Sequence, residues 1–122
     1  MKSKKFLEYT KTGLGITKSG RLQVPYVCSV KEKGKGLNSY GQPLPKIGDK
    51  IAMVSHTGRM TKNNVGIIVD IRTFKVVTEL PSGGDYVVLE NIAKEAPFEG
   101  NWLEANYILS DEEYQDAIEY LL

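Results

Sequence analysis

One cysteine, one histidine and one tryptophan are found among 122 residues, and each scarcity excludes a kind of chemistry. Cys28 alone makes no intrachain disulfide, so the fold must be held by its core, and a reducing cytoplasm is the expected compartment. With a lone histidine as the only available base and nothing in the sequence to place it nearby, Cys28 reads as a small core residue and not as a nucleophile. His56 has no Cys or His partner with which to share a tetrahedral metal, so no metal site is expected. No apolar run approaches the roughly 20 residues of a membrane helix, and Met-Lys-Ser-Lys-Lys leads only to Phe6-Leu7 before Glu8 interrupts. Neither a membrane span nor a secretory signal is expected. Gly34-Lys35-Gly36 lacks the following Ser or Thr of a phosphate-cradling loop, and no dinucleotide fingerprint or singled-out pair of acids appears. The chain is expected to be no enzyme and to need no cofactor.

Hydrophobic residues at 41% and charged residues at 25% fit one globular domain over residues 1–122. The net charge of +1 conceals a division. Residues 1–62 carry thirteen Lys or Arg against three acids, and residues 63–122 carry three against twelve. Such polarity points to a polyanionic partner, or to two halves that neutralise each other across the fold.

Residues 5–30 read as a β-hairpin with a preceding strand. Leu14, Ile16, Leu22, Val24 and Tyr26 alternate on either side of Lys18-Ser19-Gly20, where Gly20 supplies the positive φ of a turn. Pro25 belongs at an edge because it cannot donate to a ladder, and Val24 to Val30 continues the strand. Residues 31–46 have no periodicity and are rich in Gly, Pro and Lys, which describes an exposed loop. Lys31, Lys33 and Lys35 alternate with Glu32, Gly34 and Gly36, so ammonium groups and backbone amides can face one anion, or serve simply as a solvated connector.

From residue 46 to 92 the chain reads as a meander of short apolar strands. Ile47 to Val54 and Val65 to Ile71 flank a connection containing Gly58, Arg59 and Lys62. Arg72-Thr73 is a tight turn or a bend in one long strand leading to Phe74–Leu80. Pro81-Ser82-Gly83-Gly84-Asp85 is the next turn, and Tyr86 to Ile92 returns, with Val87 and Leu89 opposite Tyr86 and Val88. Asn63-Asn64 are turn residues. The pattern Gly48-Asp49, Ile51, Met53, Gly58, Lys62, Gly66, Ile68, Ile71 resembles the KOW/SH3-like barrel of NusG-type elongation factors, of several ribosomal proteins and, more loosely, of Tudor-like modules. The resemblance implies a small β-barrel and a nucleic-acid contact at Arg59 and Lys62. The link from Lys62 to Gly66 departs from the family pattern by being longer and poorer in glycine.

Residues 93–109 read as irregular because of Pro97, Gly100 and Asn101. Trp102, among Glu95, Glu99 and Glu104, is assigned to the core, since those acids repel a phosphate backbone; the other reading is a ring for base stacking. Ser110-Asp111-Glu112-Glu113 is a capping box with a Leu109/Tyr114 staple, opening a helix over 110–122. Tyr114, Ala117, Ile118, Leu121 and Leu122 form its apolar stripe, to be packed on the sheet or laid in a partner's groove.

The expected fold is therefore mainly β: a small SH3/KOW-like barrel or curled antiparallel sheet, with an N-terminal hairpin and one C-terminal helix. The expected function is low-specificity binding of DNA or RNA, with Lys31, Lys33, Lys35, Arg59 and Lys62 on phosphates and Tyr40 or Tyr26 stacking on bases. The alternative is a small protein-binding adaptor or inhibitor, of the kind a virus directs at a host machine, using the polarised surface and the acidic helix.

Overall fold

Alternation of apolar and polar residues marks the longer segments that become antiparallel sheet. The computed structural model describes residues 6–25, 36–54, 57–76, 82–94 and 98–122; Tyr26, Cys28, Lys31, Lys33, Lys35 and His56 lie outside them. Among the described residues eight strands run in the order β1 (Glu8–Tyr9), β2 (Gly15–Ile16), β3 (Leu22–Gln23), β4 (Lys50–Ala52), β5 (Val65–Val76), β6 (Ser82–Asn91), β7 (Phe98–Trp102) and β8 (Tyr107–Ile108), followed by helix α1 (Asp111–Leu121). They form a three-stranded sheet β1-β2-β3 and a five-stranded sheet β7-β6-β5-β4-β8, all antiparallel. Among the described residues β7 and β8 do not pair, so the larger sheet is open. Of the two expected architectures, the curled sheet is the one found, and the barrel is not closed.

The N-terminal hairpin forms as its sequence dictates. Gly20 takes φ +85° and donates to Thr17, while the Thr17 hydroxyl accepts from the Arg21 amide. Beyond β3 the sheet continues for one more step: Val24 donates to Gly58 and Met60 donates to Leu22, which sets Gln23 opposite Arg59. Segment 58–60 therefore joins the small sheet before its chain enters β5 of the large one.

Strand β4 shows where the core sits. Ala52 and Val54 face a cluster with Leu14, Leu22, Val24, Met60, Val65, Leu109 and Ala117, while Ile51 and Met53 face a second with Ile68, Val87 and Leu89. Both faces of the sheet are covered here, the first by the N-terminal strands and α1, the second by Ile71, Leu103 and Ile108. That is how a curled sheet buries alternating residues on two sides. A bulge between Ile68 and Asp70 turns Val69 outward, and a second leaves Gly100 of β7 as the extra residue between Asn101, opposite Val87, and Glu99, opposite Val88. Gly66 is the close point of β5 and β6, because a Cβ there would run into the Glu90 carbonyl.

Of the two readings of Arg72-Thr73, the one long strand is found, since both lie inside the twelve-residue β5. Three other sequence expectations are corrected. Ser82-Gly83-Gly84-Asp85 is no turn but the start of β6, paired with Thr73 to Val76. Gly100 and Asn101 lie within β7, because pairing with β6 outweighs their local turn preference. Trp102 is 44% exposed and lies against Gly84, so it covers a strand surface and is not core.

The segment 36–46 is also more ordered than its composition implies. Asn38 is fully buried: its Oδ1 accepts from the Tyr40 and Gln42 amides, and its Nδ2 donates to Gln42 Oε1 and to the Asn106 carbonyl. Gln42 then pairs with Ile108 as a neighbouring strand would, Nε2 donating to its carbonyl at 2.9 Å and Oε1 accepting from its amide at 2.8 Å. The helix forms with its capping box complete: the Glu113 amide donates to the Ser110 hydroxyl and the Ser110 amide to the Glu113 carboxylate. Its stripe packs on the core through Tyr114, Ala117, Ile118 and Leu121.

Candidate functional site

Three turns and one strand pairing carry five exposed cations on adjoining segments. In the pairing of β3 with 58–60, Leu22, Val24 and Met60 point into the core, so alternation turns Arg21 and Arg59 to solvent on the same face. Lys18 occupies the turn that precedes Arg21. Past Met60, Asn64 closes the next turn: its Oδ1 accepts from the Thr61 amide at 2.8 Å and its Nδ2 donates to the Arg59 carbonyl at 3.0 Å. Lys62 stands in that turn, exposed. The Ala93 amide donates to the Lys62 carbonyl at 3.3 Å, and the Asn91 side chain donates to the Asn63 carbonyl at 3.3 Å. These bonds seat the turn carrying Lys94 beside Lys62. Lys94 has φ +61°, the one positive value at a non-glycine among the described residues.

Lys18, Arg21, Arg59, Lys62 and Lys94 are all exposed, and no acid lies within ion-pair distance of any of them among the described residues. Four other cations are matched, Lys11 by Glu119 (3.8 Å), Lys46 by Asp49 (3.5 Å), Lys50 by Asp111 (3.2 Å) and Arg72 by Asp70 (3.0 Å). The first and third of these join the basic half to the acidic helix. The two halves thus neutralise each other in part, and among the described residues the ribbon of cations from Lys18 to Lys94 is left unmatched. Exposed pairs of this kind add at most about 1 kcal/mol of stability each; their consequence here is for where the field is positive.

Of the residues singled out from sequence, Arg59 and Lys62 lie on this ribbon. Lys31, Lys33 and Lys35 belong to the undescribed part of the chain. Tyr40 is held by the Asn38 turn, half-buried, with its ring edge-on to Tyr107 at a centroid distance of 5.5 Å and an angle of 85°. Its ring is engaged in packing. The sequence reading missed Lys18, Arg21 and Lys94. Alternation with Leu22 and Val24 contained the signal for Arg21, whereas nothing local marks Lys94 as a neighbour of Lys62, since the bonds that bring them together span the sheet.

Among the described residues no three His, Cys, Asp or Glu side chains come together as a metal site, and no helix is long and apolar enough to cross a membrane. No protein-family model, curated protein or solved structure matches the chain.

Proposed function

We propose that this protein binds nucleic acid, non-enzymatically and with little sequence preference, through the ribbon Lys18, Arg21, Arg59, Lys62 and Lys94. The observation that carries the reading is that these five exposed cations stand on turns and segments joined by direct hydrogen bonds, and are unmatched, while four others on the described surface are paired with acids. Cations spaced along an edge neutralise successive phosphates and release their counterions, which drives association without reading sequence.

The helix supports low specificity by what it does not offer. Its apolar stripe is used in the core, and its outer positions Asp111, Glu112 and Glu119 are acidic, so it repels a phosphate backbone and cannot serve as a groove-reading helix. The resemblance of residues 46–92 to KOW/SH3-like modules favours the same function. The undescribed Lys31, Lys33 and Lys35 extend the basic character of the chain, and the lone cysteine fits a cytoplasmic setting.

The test is fluorescence anisotropy with labelled single-stranded and duplex DNA and RNA at low salt, on the wild type and on a variant carrying Arg21→Ala, Arg59→Ala and Lys62→Ala. All three side chains are exposed, so the fold is retained. Wild-type binding that the triple variant weakens at least tenfold supports the proposal. Equal binding by both proteins, or none by either, removes it and favours a protein partner engaged elsewhere on the polarised surface.

A further inference from the structure

The Lys94 end of the ribbon opens into a pocket. It has a volume of about 230 Å³ and lies between the end of the β5–β6 ladder and α1, with an apolar wall of Ile67, Ile92, Ile118 and Leu122 and a polar side that includes Glu90 and Lys94. Typical sites for drug-sized ligands occupy about 300–1,000 Å³, so this one suits a single small ring system. Ile67 and Glu90 are cross-strand partners and share a face, which sets the carboxylate at the edge of the apolar wall. Glu90 and Lys94 are both exposed and form no ion pair with each other. Each is left to meet a ligand.

We propose that this pocket takes one unstacked guanine base of a bound single strand, with Glu90 reading its Watson–Crick edge and Lys94 on the attached phosphate. The inference rests on the nucleic-acid reading of the ribbon and adds to it a preferred base. The chemistry selects guanine because an ionised carboxylate only accepts hydrogen bonds, and it has two oxygens. Guanine presents two adjacent donors, N1–H and the N2 amino group. Adenine and cytosine place a ring-nitrogen acceptor beside their one amino group, and uracil flanks its single N–H with two carbonyls, so each sets a lone pair against the carboxylate. The apolar wall accommodates the face of the ring, as single-strand recognition requires. Tyr114 also lines the pocket; burial and the nearby Glu90 charge raise its phenol above the ordinary value, so it enters the pocket as a neutral group. Lys94 belongs to both ribbon and pocket, and its left-handed backbone, costly for a residue with a Cβ, directs the chain at their junction.

The test uses the whole chain and free nucleotides. Methyl NMR spectra are followed while GMP, AMP, CMP and UMP are added in turn to the wild type and to Glu90→Gln, a change at an exposed position that removes the charge and keeps the size. GMP is expected to shift the methyls of Ile67, Ile118 and Leu122 saturably, and to bind roughly tenfold more tightly than the other three, with the preference erased in Glu90→Gln. If none of the four nucleotides moves those methyls, or all bind alike and Glu90→Gln changes nothing, the inference is overturned. Neither result depends on the rest of the ribbon, since of its five cations only Lys94 lines the pocket. Salt-dependent polymer binding without a GMP response removes the pocket alone, and a GMP response without polymer binding removes the ribbon and leaves the pocket.

Discussion

The Asp116 carboxylate on α1 accepts hydrogen bonds from both the hydroxyl and the amide of Thr12, 104 residues earlier in the chain. Only 6% of Asp116 is exposed, and this bond pair fastens the helix to the turn between β1 and β2. Burial alone would raise its pKa, but hydrogen bonds from Thr10 and Thr12 and the charge of Lys11 outweigh that and hold it below the ordinary value. Tyr120 adds a second fastening, its hydroxyl donating to the Gly20 carbonyl at 2.8 Å.

Because folding lowers the pKa of Asp116, its contribution is complete above the unfolded-state value, near about 4, and is lost as pH falls through the lower folded-state value. Urea unfolding of the wild type and Asp116→Asn across pH should show a constant difference in stability from neutrality down to about pH 5, then a shrinking one below about pH 4. Asp116→Ala, which also strands the Thr12 donors, should lose about 2–3 kcal/mol at neutral pH. A difference between wild type and Asp116→Asn that grows on acidification would contradict this.

Asn38 bears on how segment 36–46 is held. Removing its amide leaves the Tyr40 and Gln42 N–H groups and the Asn106 carbonyl without this partner, each at a cost of about 1–3 kcal/mol where water cannot reach. Asn38→Ala should therefore destabilise the chain by roughly 3 kcal/mol or more in urea unfolding, with faster amide exchange at Ile108, which depends on Gln42. A loss under about 1 kcal/mol would mean that the turn stands without its side chain.

Lys94 places stability and binding in opposition. A left-handed conformation costs a non-glycine residue about 1–2 kcal/mol, and glycine returns part of that as entropy of the unfolded chain. Lys94→Gly is expected to raise stability by up to about 1 kcal/mol while weakening polyanion binding. A variant that is both less stable and fully able to bind would contradict the role assigned to this residue.

Where the determinants were local, the sequence was legible. The capping box at Ser110 and Glu113, the turn at Lys18-Ser19-Gly20 and the alternation through Ile51 to Val54 each act within a few residues, and each appears where expected. Ser82 to Asp85 misled because Gly and Ser also fit a strand in which Trp102 lies across Gly84. Trp102 misled because an apolar ring among acids suits a strand surface as well as a core. The Asn38–Gln42–Ile108 network has no sequence signature, since its partners are separated by 66 residues and one amide takes the place of a strand. The candidate site was half legible: Arg59 and Lys62 carried visible charge in a turn, whereas their union with Arg21 and Lys94 depends on pairings made only in the folded chain.

The most direct test of the ribbon is the salt dependence of binding to a labelled single strand, measured from low to physiological ionic strength for the wild type and for Arg21→Ala/Arg59→Ala/Lys62→Ala. Five phosphate contacts predict a slope of log K against log salt near about −3.5 for the wild type, and the two remaining contacts a slope near about −1.4 for the variant. Identical slopes for the two proteins, or no wild-type binding even at the lowest salt, would contradict the account.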